Sequence, residues 1–411
     1  MKQELYQHTF SNGLTLLAER MPHVRSASLG FLIPAGCVYD PNHQLGLSSV
    51  LMEILFRGAG NYSSRALSNA LNSLGIDHSE GSGLFNSSLS ASMLSKNLEK
   101  ALDLYANIIL APHLPESEMD AVKNLLIQDI EALEDEPQQK VMIELTRHYY
   151  PNPINRYKRG TIEGVQNTDV ASLRKQHKNY FQPDGTILAI AGDFEWSRLR
   201  DHVQRLFGDW KANPVESIQV DSNNYQSVHL SKEIEQTQIA LAFPSVPVSD
   251  PDFYKARGAV GVWSLDMSSR LFTNIREKYG LCYSVYASYE SLRDRGTIVV
   301  YAGATPEKAQ ETLNRTLQEL RILKDGIEDE EVDRVKVGLK SALIMRQEST
   351  AARAGAIASD WYFLKRVRPL QEIQTHIDQL STKSIIDYAE RYPPFPLSLV
   401  TLGPKELQLN H

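Results

Sequence analysis

Groups able to bind a metal or activate a nucleophile are sparse in this sequence. Eleven histidines are present, and the two nearest in sequence are His8 and His23. Imidazoles meet on one helix face only at i,i+3 or i,i+4 spacing, so there is no local zinc pair of the HExxH or HxxEH kind. A histidine site would have to assemble from distant elements. There is no GxxxxGK phosphate loop and no GxSxG elbow, and EGSGLF carries Gly81 and Gly83 without the third glycine or following helix of a dinucleotide loop. Two cysteines, Cys37 and Cys282, exclude a disulfide scaffold and a cysteine zinc module. Cys37 reads as packing at a strand end, and Cys282 as packing on the face of its strand opposite Tyr283.

Two segments are unusual. Over Leu47–Phe56, Leu47, Val50, Leu51, Ile54 and Leu55 form one apolar stripe, and Ser49, Met52, Glu53 and Phe56 form a second that is hardly more polar. That pattern predicts a largely buried helix with Glu53 as its one mid-helix charge. Glu53 either pairs with Arg57 at i+4 or faces a cleft, where a second carboxylate could join it around a metal. In Ile275–Tyr286, Arg276 falls in the last turn of a helix, Gly280 suits a left-handed cap and Tyr283 opens the next strand. Such a turn folds the strand back beside the helix, so Arg276 and Tyr283 can converge. Otherwise Arg276 complements the helix dipole and Tyr283 is a half-buried strand aromatic.

The elements that must position these groups are legible in outline. HTF and LTLLAE around Asn12-Gly13 predict a hairpin on a two-residue turn. Further strands are expected at Ser26–Gly36, weakly through Ser79–Met93, and at Thr186–Gly192. Helices are expected at Gly46–Gly60, over SRALSNALNSLG, at Leu98–Leu110 and Pro115–Leu133, through most of Pro137–Tyr180, and over SRLRDHVQRLF. Ser82–Ser88 is a candidate substrate-facing edge strand. Trp210–Tyr225, with Asn213-Pro214 and DSNN, reads as a linker. The pattern then restarts. QTQIALAFP takes the place of SASLGFLIP, the SSRLFTNIREKYG helix that of SSVLMEILFRGAG, and EEVDRVKVGL echoes SEMDAVKNLL at an offset of 335 − 122 = 213. The order of these echoes predicts two copies of one α+β unit, with an N-terminal domain over 1–213, a linker over 214–225 and a C-terminal domain over 226–411. Each domain is expected to be a largely antiparallel sheet packed with helices.

Composition narrows the class. At 411 residues, 42% hydrophobic and 23% charged, the chain is an ordinary globular protein of at least two domains. A net charge of −7 without a Lys/Arg-rich block argues against nucleic acid. No apolar run reaches the length of a membrane span. No secretory signal is visible in MKQELYQHTF, so the expected location is cytoplasmic, or periplasmic if a leader was removed.

The FSNGLTLLAE hairpin, the strand ending in AGCVYD, GLSSVLMEILFRGAG, NLLIQDIEALEDEP and MSSRLFTNIREKYGLCYSVYASY, in that order, make the chain resemble the M16 (pitrilysin-type, inverzincin) zinc peptidases over nearly its whole length. The resemblance implies two homologous domains of the mitochondrial-processing-peptidase-like metallohydrolase fold. Active members carry G-L-x-H-x-x-E-H-x-L-F-x-G, in which two histidines and a downstream glutamate hold zinc and the central glutamate is the general base. Gly46-Leu47 and Leu55-Phe56-Arg57-Gly58 fix the register. Ser49 stands at the first histidine, Met52 at the base and Glu53 at the second histidine. The downstream ligand falls on Asp129, since 129 − 53 = 76. A serine hydroxyl is a poor zinc ligand, methionine takes no proton, and two carboxylates alone suit zinc badly. The resemblance therefore implies a chain that binds no catalytic zinc and cleaves no peptide alone.

The family's other machinery is in frame. In active relatives an arginine and a tyrosine hold the substrate backbone and help stabilise the oxyanion, and Arg276 and Tyr283 match that R-x₆-Y pair. The family also builds heterodimers, so the expected role is the non-catalytic, substrate-binding subunit of a heterodimeric zinc endopeptidase. Zinc would sit on a homologous partner with an intact HxxEH, and Arg276 and Tyr283 would act in trans. The substrate would be a peptide or unfolded polypeptide bound along a sheet edge. The rival expectation is a non-peptidase structural or peptide-binding homodimer of the same fold.

Overall fold

The computed structural model describes residues 3–213 and 218–409. Pro214–Ser217, at the start of the expected linker, lie outside the described residues. Along the chain, β1 (Glu4–Thr9), β2 (Thr15–Arg20) and β3 (Ser26–Ile33) lead to α1 (Leu47–Ile54). The short pair β4 (Gly58–Ala59) and β5 (Tyr62–Ser63) precedes α2 (Ser64–Ser73), β6 (Asp77–Ser82), β7 (Ser87–Leu94), α3 (Leu98–Leu110) and α4 (Met119–Glu131). Then come α5 (Pro137–Tyr149), α6 (Ile162–Gln166), α7 (Val170–Tyr180), β8 (Ile187–Gly192) and α8 (Trp196–Phe207). The second half has β9 (Ser227–Ser231), β10 (Thr237–Ser245), α9 (Phe253–Ser264), a π-helical segment Leu271–Lys278, β11 (Cys282–Ser291) and β12 (Gly296–Ala304). It closes with α10 (Ala309–Arg321), α11 (Asp329–Arg346), α12 (Thr350–Leu364), α13 (Leu370–Asp378), α14 (Thr382–Arg391) and β13 (Ser398–Gly403).

These elements form two compact α+β units. One unit takes the chain up to Ala132, Arg156–Gln219 and Arg346–Val367, and the other takes Leu133–Asn155, Val220–Met345 and the chain from Arg368. Each unit therefore has its sheet from one half of the sequence and one helix from the other half: α12 in the first, α5 in the second. The first sheet runs β1-β2-β8-β3-β7-β6 and the second β9-β13-β10-β12-β11. In each, one pair is parallel, β2 with β8 and β13 with β9, and the remaining pairs are antiparallel. The second sheet thus repeats β2-β8-β3-β7-β6 strand for strand and, among the described residues, has no counterpart of β1, which is the duplication expected from the echoes.

The topology corrects the alignment of the halves. The helix following β10, in the place of α1, is α9 rather than the SSRLFTNIREKYG segment. That segment precedes β11 as α2 precedes β6, and Ser268-Ser269-Arg270 aligns with Ser63-Ser64-Arg65 (268 − 63 = 205), as Gly280 does with Gly75 (280 − 75 = 205). Both glycines take positive φ, +62° and +57°, where a side chain would be strained, so the same turn feeds both edge strands.

Other boundaries shift for local reasons. The first hairpin closes on three residues, with Phe10 and Leu14 paired at 2.9 Å and Gly13 at φ +95°. The helix expected over Gly46–Gly60 stops at Ile54, and Gly58–Ala59 enters β4. Ser82–Ser88 is the hairpin between β6 and β7, closed by Gly83 N–H donating to the Asn86 carbonyl (2.8 Å), and the free edge is β6 itself. Helix is absent from 150–161, where Pro151 and Pro153 interrupt the run.

The core of the first unit lies between one sheet face and α1, α3, α4 and α8, with Leu14, Leu29, Phe31, Leu51, Tyr105 and Phe207 fully buried. On the opposite face, α12 sets Ile357 and Trp361 against Leu17, Ile187 and Ala189. It is fixed there by Arg353, whose Nε and Nη2 donate to Glu19 Oε2 at 2.9 and 2.7 Å, with side chains 4% and 7% exposed. In the second unit α5 buries Val141 and Leu145, and the Tyr150 hydroxyl just beyond it donates to Thr297 Oγ1 at 2.7 Å.

Candidate functional site

Helix α1 begins without a side-chain cap at Gly46, whose φ is +104°. Its orphan N–H groups are satisfied instead by Asp40: Gly46 N–H donates to Oδ2 at 2.9 Å and Ser48 N–H to Oδ1 at 3.0 Å, with the Ser48 hydroxyl also donating to Oδ1. Burial pushes the Asp40 carboxyl up to about 6, against the pull of these donors and of Arg156. Arg156 Nη1 in turn donates to the carbonyls of Cys37, Val38 and Asp40 at 3.3, 3.1 and 2.6 Å. This clamp sets the start and direction of α1.

The four family positions fall on or beside that helix. Ser49 is buried, and its hydroxyl donates to the Lys158 carbonyl at 2.7 Å. Met52 is buried in the apolar core. Glu53 alone on α1 is only half-buried. Burial raises its carboxyl above the ordinary range, Glu80 and Asp129 add to the rise, and Arg57 and Arg159 oppose it. Asp129, on α4, pairs with Arg159 at 3.1 Å. Arg57 reaches Glu118 at 3.9 Å and touches Glu53 only through its field, so the expected i,i+4 contact is not what holds Glu53. Glu80 comes from the edge strand β6, where His78 Nδ1 lies 2.9 Å from Glu80 Oε2 and the His78 ring stacks on Phe56 at 4.9 Å.

This donor set does not fit zinc. One position is a hydroxyl already committed to a carbonyl, one is a thioether packed in the core, and one carboxylate is neutralised by a guanidinium. Among the described residues no group of three or more His, Cys, Asp or Glu side chains is placed to hold a metal ion. Both thiols are inert, since burial pushes Cys37 up to about 12 and Cys282 up to about 11.

In the second unit Arg276 and Tyr283 do converge. The Arg276 guanidinium lies 4.8 Å from the Tyr283 ring centre and 4.6 Å from that of Phe272, so it is held between two aromatic faces. Leu271 and Ile275 anchor the π-helical segment in the core, and an i→i+5 turn of this kind re-aims side chains. Tyr283 is 75% exposed, and Cys282 packs toward the core beside it. The ladder between β11 and β12 shifts register between Cys282 and Ser284, which frees Tyr283 from strict alternation.

A groove of about 560 Å³ also opens in the first unit, between α12 and the part of the sheet near β7 and β6. Gly30, Ser88, Ser90 and Ser92 form its floor, and Gly355 and Ser359 its wall. Sequence reasoning missed Asp40, Arg156, Arg159, Glu80 and Phe272. The one local signal was the run of cations in Arg156-Tyr157-Lys158-Arg159 ahead of a glycine.

Comparison with known proteins agrees with this geometry. The family model described as Insulinase (Peptidase family M16) matches residues 15–161, and that described as Peptidase M16 inactive domain matches residues 167–339. The zinc protease YmxG of Bacillus subtilis is 26% identical over 97% of this chain and 98% of its own length, and a zinc protease of Rickettsia felis is 25% identical over 99% and 100%. Among solved structures, a peptidase M16 inactive domain from Pseudomonas fluorescens superposes with a TM-score of 0.91 at 20% identity, covering 99% of this chain and 100% of that one. A protease from Helicobacter pylori gives 0.89 at 18% identity, covering 98% and 100%. No helix among the described residues is long and apolar enough to cross a membrane. With both of its halves matched by models of one family, the chain belongs to the M16 peptidase family.

Proposed function

We propose that this chain is the non-catalytic, substrate-binding subunit of a heterodimeric M16 zinc endopeptidase. A homologous partner with an intact HxxEH supplies zinc and base, and Arg276 and Tyr283 are donated to that partner's cleft in trans. The observation that carries this reading is the contrast between two sites. In the family register the ligand positions hold Ser49, bonded to the Lys158 carbonyl, Glu53 and an ion-paired Asp129, and the base position holds Met52, packed in the core. The Arg276 guanidinium lies against the Phe272 and Tyr283 rings with its side chain 33% exposed, and Tyr283 is 75% exposed. A guanidinium stacked between two rings has lost most of its rotamer freedom before a substrate arrives, which is what a transition-state donor needs.

The test begins with capture of the tagged chain from its native source and identification of what co-purifies. The isolated chain should hydrolyse no fluorogenic peptide, and the complex should. Arg276→Ala or Tyr283→Phe should then lower kcat/KM of the complex by about 10²–10³, the cost of one lost oxyanion donor elsewhere. Unchanged kcat/KM in both variants would reject donation in trans.

A peptide-holding homodimer is the second reading, and the largely apolar groove beside α12, with serines at its floor, favours it. Its size is within the roughly 300–1,000 Å³ of ligand sites, and the free edge of β6 adjoins it. Under that reading the chain alone binds unfolded polypeptide, and substitution of Arg276 or Tyr283 changes nothing.

A further inference from the structure

The segment Arg156–Gly160 meets the base of α1 at several independent points. Arg156 ties it to Cys37, Val38 and Asp40, and the Lys158 carbonyl accepts from Ser49. Gly160 turns at φ +77° so close to the chain that a Cβ there would lie 2.0 Å from the Leu45 carbonyl oxygen. Thr161 N–H then donates to the same carbonyl at 3.2 Å. Between these anchors stands Arg159, 3.1 Å from Asp129 and close enough to oppose the field of Asp129 and Glu80 on Glu53. In the M16 register, Ser49, Glu53 and Asp129 are the three positions that would hold the metal.

We infer that Arg159 is a built-in cation that has replaced the metal, held by the Arg156–Gly160 loop against Asp129, the side chain now standing at the downstream ligand position. A guanidinium pairs with a carboxylate without demanding a tetrahedral set of donors. It explains why Glu53 and Asp129 persist together with no metal-holding group among the described residues. Restoring the ligand side chains at positions 49 and 53 alone will therefore not restore a zinc site, because Arg159 still occupies the third ligand. The inference rests on the family register and not on the heterodimer reading, so either can fail without the other.

The test is zinc titration of the purified full chain by calorimetry, with metal content measured after dialysis. The S49H/M52E/E53H variant should hold less than about a tenth of an equivalent of zinc. Adding Arg159→Ala should bring it near one equivalent, tightening affinity by at least about 10–100-fold, the range seen when groups around a metal's ligands change. Adding Arg159→Lys, which keeps the charge, should not. Stoichiometric zinc in S49H/M52E/E53H with Arg159 in place would overturn the inference. If these variants fail to fold, Arg159→Gln in the natural background carries the question. It leaves Glu53, Glu80 and Asp129 short of one cation, so 1 mM Mn²⁺ should raise its Tm by more than about 2 °C while leaving the natural chain unmoved. Equal responses of the two proteins to Mn²⁺ would also overturn it.

Discussion

The two units share a strand order and a covering helix borrowed from the other half of the chain, yet they fix that helix in opposite ways. The first uses a buried ion pair, Glu19 with Arg353, and buries Asp40 at the start of α1. The second fixes α5 with apolar contacts and a neutral Tyr150–Thr297 hydrogen bond, and leaves Arg276 and Tyr283 at the surface. A buried charge resists change because removing one partner strands the other in low dielectric. An exposed pair is free to serve something outside the molecule. The lesson is that the same scaffold can hold its borrowed helix by charge in one copy and by apolar contacts in the other.

The comparison breaks first at the covering helices. Arg353→Met should cost about 3–5 kcal/mol in urea denaturation, with most of it recovered when Glu19→Leu is added, since a buried ion pair is usually replaceable as a unit. A loss below about 1 kcal/mol would show that the ion pair does not hold α12. The next largest effect is expected at Asp40→Ala, which leaves the Gly46 and Ser48 donors unpaired at a cost of about 1–3 kcal/mol. Its pH dependence has a definite sign. The folded Asp40 carboxyl lies near 6, above its unfolded value, so its contribution favours the folded state in acid and is lost as pH rises toward about 6. The difference between natural chain and variant should therefore be larger at pH 4.5 than at pH 7.5.

Smaller still is the neutral counterpart. Tyr150→Phe should cost about 1 kcal/mol, and unlike the Arg353 variant it should show no rescue by a second substitution that removes a charge. At the bottom of the scale, Arg276→Ala and Tyr283→Phe should change the midpoint of unfolding by less than about 0.5 kcal/mol, because neither is part of a buried network. A large destabilisation by either would mean that the pair is structural, and the contrast between the units would lose its sharper half.

Much of this was legible in the chain itself. The duplication, the buried character of α1, the turn that brings Arg276 to Tyr283 and the inert cysteines all follow from periodicity, glycine placement and short spacings. The register of the halves was misjudged because the SSR motif recurs before a different helix, and apolar content alone does not tell α1 from α2. The spacing left Glu53 open between Arg57 and a cleft because i+4 permits a contact without requiring one, and Arg57 reaches Glu118. Nothing local marked Asp40, which acts on a helix through six intervening residues, and the cationic run that contains Arg159 gave no sign that it acts on a carboxylate thirty positions earlier (159 − 129 = 30).

The sequence by itself determined that hydrolytic chemistry is missing from α1, because a serine and a methionine cannot become an imidazole and a carboxylate in any fold. It also determined that an arginine and a tyrosine meet across one tight turn, because that contact is local. Only the tertiary structure decided which sheet each borrowed helix covers, and that Arg159, beyond the Arg156 anchor, pairs with Asp129 on α4. Those outcomes depend on packing between residues far apart in the chain, and periodicity carries no information about which distant surface an apolar face will find.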